Sequence, residues 1–176
     1  MSPSDDPRAA PRPAGDPAWG AYGGAVLEFP SAEPPVRLDL RLTLPASVAA
    51  RLAGHVGAAR FGIVTPANPA GAVLAPAANA ARLTAFAADL VAAALPAVPA
   101  DGCDPATPHR EAGFAIVAPA PTIRALAARW QQTAFYWFDG RVMWLVPTHP
   151  AYRAVPLPAD PATLPRVARN PVAGTP

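Results

Sequence analysis

The stretch FGIVTPANPAGAVLAPAANAAR, from Phe61 to Arg82, constrains the fold of this chain more than any other. Phe61 to Val64 form an unbroken apolar run closed by a Pro-rich turn, the pattern of a short buried strand. A polar loop follows from Thr65 to Ala75. Pro76 then stands near the first position of a helix, where a missing N–H costs nothing because no intrahelical acceptor exists there. Asn79 and Arg82 are three apart on the opening turns and so share one face. Thr65, Asn68, Asn79 and Arg82 therefore surround one strand-to-helix junction, where outward-pointing backbone N–H groups favour a polar ligand.

On either side the chain divides by composition. Residues 1–21 form a polar, Pro-rich leader that cannot bury enough apolar area to order itself. Residues 22–146 carry the periodic segments and are read as one domain, and residues 147–176 as a mobile Pro-rich tail draped through Tyr152 and Leu157. Within the domain, Gly24 to Phe29 predicts a strand. Val36 to Leu44 alternates strictly, with Val36, Leu38, Leu40, Leu42 and Leu44 on one side, and predicts a strand with one solvated face. Ser47 to His55 predicts a short helix with Ser47 as N-cap, ended by Gly54 or Gly57. Pro76 to Leu95 carries Leu83, Phe86, Leu90 and Val91 at helical spacing before Pro96 stops it.

Beyond that helix, Ala97 to Gly102 reads as a weak strand, Asp101 to Arg110 as a turn-rich loop, and Glu111 to Ala118 as a strand. Thr122 is expected to cap a second helix, Ile123 to Gln131, with Ile123, Leu126, Ala127 and Trp130 on its apolar face. Thr133 to Phe138 and Arg141 to Val146 flank Asp139-Gly140, the signature of a two-residue type I′ hairpin turn. This order predicts an α+β fold: a ferredoxin-like βαββαβ core with N-terminal strand additions and a C-terminal hairpin strand. With right-handed crossovers, Thr65, Asn68, Asn79, Arg82, the Asp101–Arg110 loop, Glu111 and Gln132 all fall at one end of one sheet.

Composition limits the function. All 14 basic residues are arginine, which together with abundant Ala and Pro indicates a GC-rich, bacterial genome; much of the 52% hydrophobic content is alanine with little packing value. The net charge is only +2, and the arginines form no stripe, so nucleic acid is not an expected partner. A lone Cys103 excludes an internal disulfide framework and suits a reducing compartment. The N-terminus has no apolar h-region, and the apolar helix Leu83 to Leu95 is broken by Asp89 and too short to span a bilayer. The expected location is the cytoplasm, with no membrane partner.

The succession Thr65-x-x-Asn68-Pro69, Asn79-x-x-Arg82, Gly102-x-Asp104-Pro105, Glu111, then aromatic-x-Gln132-x-Ala134, resembles the bacterial family catalogued as domain of unknown function 3293, over about Tyr22 to Val146. The chain departs from the usual form at Pro66, where the family has a small residue. It also lacks an aromatic near His109, and has Ala112 and Gly113 where the family carries a serine. The resemblance implies a domain and a site at Thr65, Asn68, Asn79, Arg82, Glu111 and Gln132. It implies no reaction.

Each candidate has two readings. Arg82 and Glu111 form either a partly buried ion pair or a ligand clamp with an acid/base, and an arginine beside a helix N-terminus suits a carboxylate or phosphate. Cys103 with His109 as base lacks an activating helix or cation. His55, His109 and His149 are too dispersed for a metal site. No Gly-rich phosphate loop is present, and no cofactor is expected. Trp130, Tyr136, Trp137 and Trp144 read as hairpin packing, or alternatively as a base-stacking platform. Three functions remain open: a binding or accessory domain for a small, anionic molecule; an interaction module that docks a protein through the aromatic hairpin or a sheet edge; and an enzyme on a phosphorylated or carboxylated substrate.

Overall fold

The computed structural model of the chain describes residues 19–149 and 152–158. Most of the leader and the end of the tail lie outside the described residues. Three α-helices and two antiparallel sheets make up the described part. The larger sheet centres on β3 (Phe61–Val64), the unbroken apolar run, which is buried at every position. It pairs with β7 (Phe114–Ile116) on one side and β8 (Ala134–Phe138) on the other. Beyond β7 lies β4 (Ala97–Pro99); beyond β8 lie β9 (Met143–Pro147) and β10 (Val155–Leu157). The smaller sheet runs β2 (Val36–Asp39), β1 (Val26–Phe29), β5 (Asp101–Cys103), β6 (Arg110–Glu111).

Period-2 alternation in the larger sheet separates two cores. Phe61, Ile63, Ala115, Tyr136, Phe138, Met143 and Leu145 face the smaller sheet and α1 (Ala46–Val56), which contribute Leu27, Phe29, Val36, Leu38, Leu52 and Val56. Val64, Ile116, Phe135 and Val146 face α2 (Pro76–Ala92) and α3 (Ala120–Arg129), which contribute Phe86, Leu90, Ile123 and Ala127. The order is thus helices, large sheet, small sheet with α1. The helix layer sits close because β3 has a glycine under it: a Cβ on Gly62 would lie 2.4 Å from Ile123 Cγ2.

The segments read as a weak strand, a loop and a strand between Ala97 and Ala118 are one continuous hairpin. Its register runs unchanged from Ala97↔Ile116 to Cys103↔Arg110. The outer half pairs in the large sheet and the inner half in the small one. At the crossing, the Ala100 N–H donates to Gly113 O (3.0 Å), which keeps the ladder intact through the bend. Gly113 is required there: a Cβ would meet Val64 O at 2.4 Å.

Several local expectations are corrected. The alternating run at Val36 ends as a strand at Asp39, whose carboxylate accepts the Arg41 N–H and turns the chain, leaving Leu42 66% exposed. Neither α1 nor α3 has a side-chain cap: Pro45 and Pro119, not Ser47 and Thr122, hold the N-cap positions. Val91 points to solvent, since Phe86 and Leu90 alone of that stripe are fully packed. The Asp139-Gly140 turn is longer than two residues. Strand pairing closes at Phe138↔Met143, and the Asp139 carboxylate accepts the N–H groups of Arg141 and Val142 inside the loop. Within the stretch read as a tail draped through Tyr152 and Leu157, Val155–Leu157 pairs with β9 as an edge strand and Leu157 is buried, as that draping expects.

Candidate functional site

The bend of the long hairpin brings Glu111 under the C-terminal end of β3. There its carboxylate collects a set of donors. The Thr65 hydroxyl donates to Oε2 (3.1 Å), Asn68 Nδ2 donates to Oε1 (2.7 Å), and His109 Nε2 lies 3.2 Å from the same oxygen. Asn68 adopts left-handed backbone (φ 46°), which asparagine tolerates better than most residues. Asn79 holds it in place: its Oδ1 accepts the Asn68 N–H (3.0 Å) and its Nδ2 donates to Asn68 Oδ1 (2.9 Å). That same Asn68 oxygen accepts the Leu74 N–H, closing the loop before α2.

Beside Glu111 opens a cleft of about 430 Å³ between the two sheets. Ile63, Tyr136 and Leu145 of the large sheet form its floor, Gly102 and Cys103 the facing wall, and Tyr22, Val73 and Pro105 its rim. Thr65, Asn68, Glu111 and Gln132 of the expected site line it, with Asp104 and His109. The volume suits a small organic ligand. Gln132 is buried and its Nε2 donates to Ala67 O (2.8 Å), so it fastens the β3–α2 loop as well as lining the cleft.

Arg82 does not reach the cleft, and no ion pair joins it to Glu111. Its Nε donates to Pro66 O (2.7 Å) and its Nη2 to Trp130 O (2.8 Å), while the guanidinium lies 5.2 Å over the Trp130 ring. It ties the β3–α2 loop to the end of α3. The reason is topological: Arg82 lies on the helix-layer side of the large sheet, and Glu111 on the other. The same holds for Asn79, which supports Asn68 from behind. Among the described residues lining the cleft, none is arginine, and the chain has no lysine.

The electrostatics follow from this. Burial pushes the Tyr136 phenol well above its ordinary value, and the Tyr22 phenol and Glu111 carboxylate push it further. Burial, then the Glu28 carboxylate, raise the Cys103 thiol above its ordinary value. Arg110, next to Glu111 but on the opposite strand face, pairs with Asp101 (2.6 Å) and with Glu28. Among the described residues, no group of three His, Cys, Asp or Glu side chains is placed to hold a metal ion, and no helix is long and apolar enough to cross a membrane.

Residues 64–135 match the family described as Protein of unknown function (DUF3293). Over that segment the chain is similar to the DUF3293 family. The DUF3293 match begins at the end of β3 and runs through the Glu111 cluster to β8. No curated protein and no solved structure matches the chain. The cleft also uses residues outside this segment, Tyr22, Tyr136 and Leu145, and one inside it, Val73, that spacing did not single out as ligand-facing. The alternation of β8, which puts Ala134, Tyr136 and Phe138 on one face, was the available signal for Tyr136. Tyr22 had none, because it arrives from a 3-10 helix (Trp19–Gly24) outside any periodic segment.

Proposed function

We propose that the chain is a small-molecule-binding domain whose ligand enters the cleft between the two sheets. The observation that carries this reading is the Glu111 cluster. A carboxylate whose side chain keeps only 21% of its exposure stands at the wall of an apolar cleft and is aimed there by Thr65 and Asn68. The order β8-β3-β7-β4 with α2 and α3 on one face supports a ferredoxin-like βαββαβ core, to which β9, β10 and the small sheet are additions. An enzyme on an anionic substrate has less support, because no arginine among the described residues lines the cleft.

Docking of a protein through the aromatic hairpin is the second reading. It is weakened by Trp144, whose indole donates to Asp139 Oδ2 (2.8 Å), and by the packing of Trp137 and Trp144 on the helix-side core. The test is a plugged cleft. Gly102 faces Thr65 across ordinary van der Waals space, so Gly102→Leu should fold and fill the cavity. Small amphipathic compounds at a hundredfold their dissociation constant should stabilise the wild-type chain by about 2.7 kcal/mol and leave the variant unmoved. Equal shifts in both would place the ligand elsewhere, and pull-down of a partner through Trp137 would favour the second reading.

A further inference from the structure

Resting on the cleft reading, we infer that the ligand carries a cationic head, a protonated amine or amidine, seated on Glu111, with an apolar body against Tyr136, Leu145 and Val73. Among the described residues no arginine reaches the mostly buried Glu111 carboxylate, and the His109 imidazole, 3.2 Å from Oε1, is an ion-pair neighbour only when protonated. The donors to Glu111 are a hydroxyl, an amide and an imidazole. Arg82 lies behind the large sheet on backbone carbonyls and the Trp130 ring, and Arg110, the chain neighbour of Glu111, pairs with Asp101 and Glu28. The charged and titratable groups lining the cleft are Glu111, Asp104, His109 and Cys103, with Tyr22 and Tyr136. Asp104 is occupied by its own turn, accepting the Ala106 N–H (2.9 Å) and the Thr107 hydroxyl (2.8 Å). It adds further negative charge at the cleft.

A carboxylate offers about four acceptor positions, of which the three donors take three, and Glu111 lines the cleft. A part-buried negative charge without a permanent cation beside it is costly, and an opposite charge brought to it recovers much of that cost. An anionic head would meet the reverse field. The apolar floor adds affinity by burial.

The experiment compares three probes of one shape on the full chain at pH 8 and low salt: 2-phenylethylamine, 2-phenylethanol and phenylacetate, titrated by calorimetry. The amine should bind at least tenfold tighter than the alcohol, and phenylacetate weakest. Raising the salt should weaken only the amine, because exposed edges of the ion pair are screened. In Glu111→Gln the amine's advantage over the alcohol should vanish. Because that variant also disturbs Thr65 and Asn68, the wild-type ranking stands as the primary readout. Alcohol equal to amine, or phenylacetate tightest, overturns the cationic class while leaving the cleft as a binding site. If no probe binds wild type and none is sensitive to Gly102→Leu, the cleft reading fails with it.

Discussion

Gly113 and Asp139 each decide a piece of backbone through one contact. At Gly113 the hairpin passes so near β3 that no side chain fits, and the obstacle is the Val64 carbonyl rather than a flexible tip. Gly113→Ala should therefore cost about 3 kcal/mol, the upper range for forced overpacking, read as a lowered midpoint in urea. Gly54, in α1 with nothing within 4 Å of a new Cβ, is the control: Gly54→Ala should gain up to about 1 kcal/mol from helix propensity. At Asp139, burial opposes ionisation, yet hydrogen bonds from the Val142 N–H, the Trp144 indole and the Arg141 N–H outweigh it and lower the carboxyl. A depressed folded value stabilises above the unfolded range near pH 4 and is lost as pH falls through the folded value. Asp139→Asn should thus cost about 2 kcal/mol at pH 7 and progressively less below pH 4, measured by urea melts across that interval. The importance of Asp139-Gly140 was legible in the sequence. The turn's length was not, since it follows from where the Phe138↔Met143 pairing stops.

At the scale of elements, the β3–α2 connection is the part most clearly written in the chain. An apolar run, an Asn-Pro, and a proline at the helix start gave strand, loop and helix at nearly the observed bounds, because each is a local signal with a local cause. Its internal fastening is also local: Asn68 and Asn79 clasp each other across eleven positions. Asn79→Ala should cost about 2 kcal/mol for the pair of part-buried bonds and speed amide exchange at Asn68 and Leu74 relative to β3. Equal protection in both proteins would mean that the loop is held from elsewhere. The Ala97–Ile116 hairpin is the contrasting case. Its sequence reads as separate pieces because half of it is buried in one sheet and half in another. The change of face at Ala100 and Gly113 interrupts any single periodicity.

At the scale of the whole molecule, the polar residues divide between the two faces of the large sheet. Arg82 belongs to the helix side, where it joins Pro66 and Trp130 across 48 positions; Glu111 belongs to the cleft side, joined to Thr65 across 46. Arg82→Ala should accordingly lose about 3 kcal/mol of stability by stranding buried carbonyls and removing the ring contact, while a folded fraction at low temperature keeps the cleft's ligand response. Loss of that response without loss of stability would return Arg82 to the site. The chain's own order of residues determined the element types, the alternating faces of β3, β8 and β9, and the gathering of Thr65, Asn68, Glu111 and Gln132 at one sheet end, since periodicity and chain direction carry that information. Which polar groups meet, that Arg82 serves a loop, and that a cleft exists at all were decided by the tertiary structure. Those facts depend on one bent hairpin crossing between two layers, and on glycines whose meaning is only the backbone they lie against.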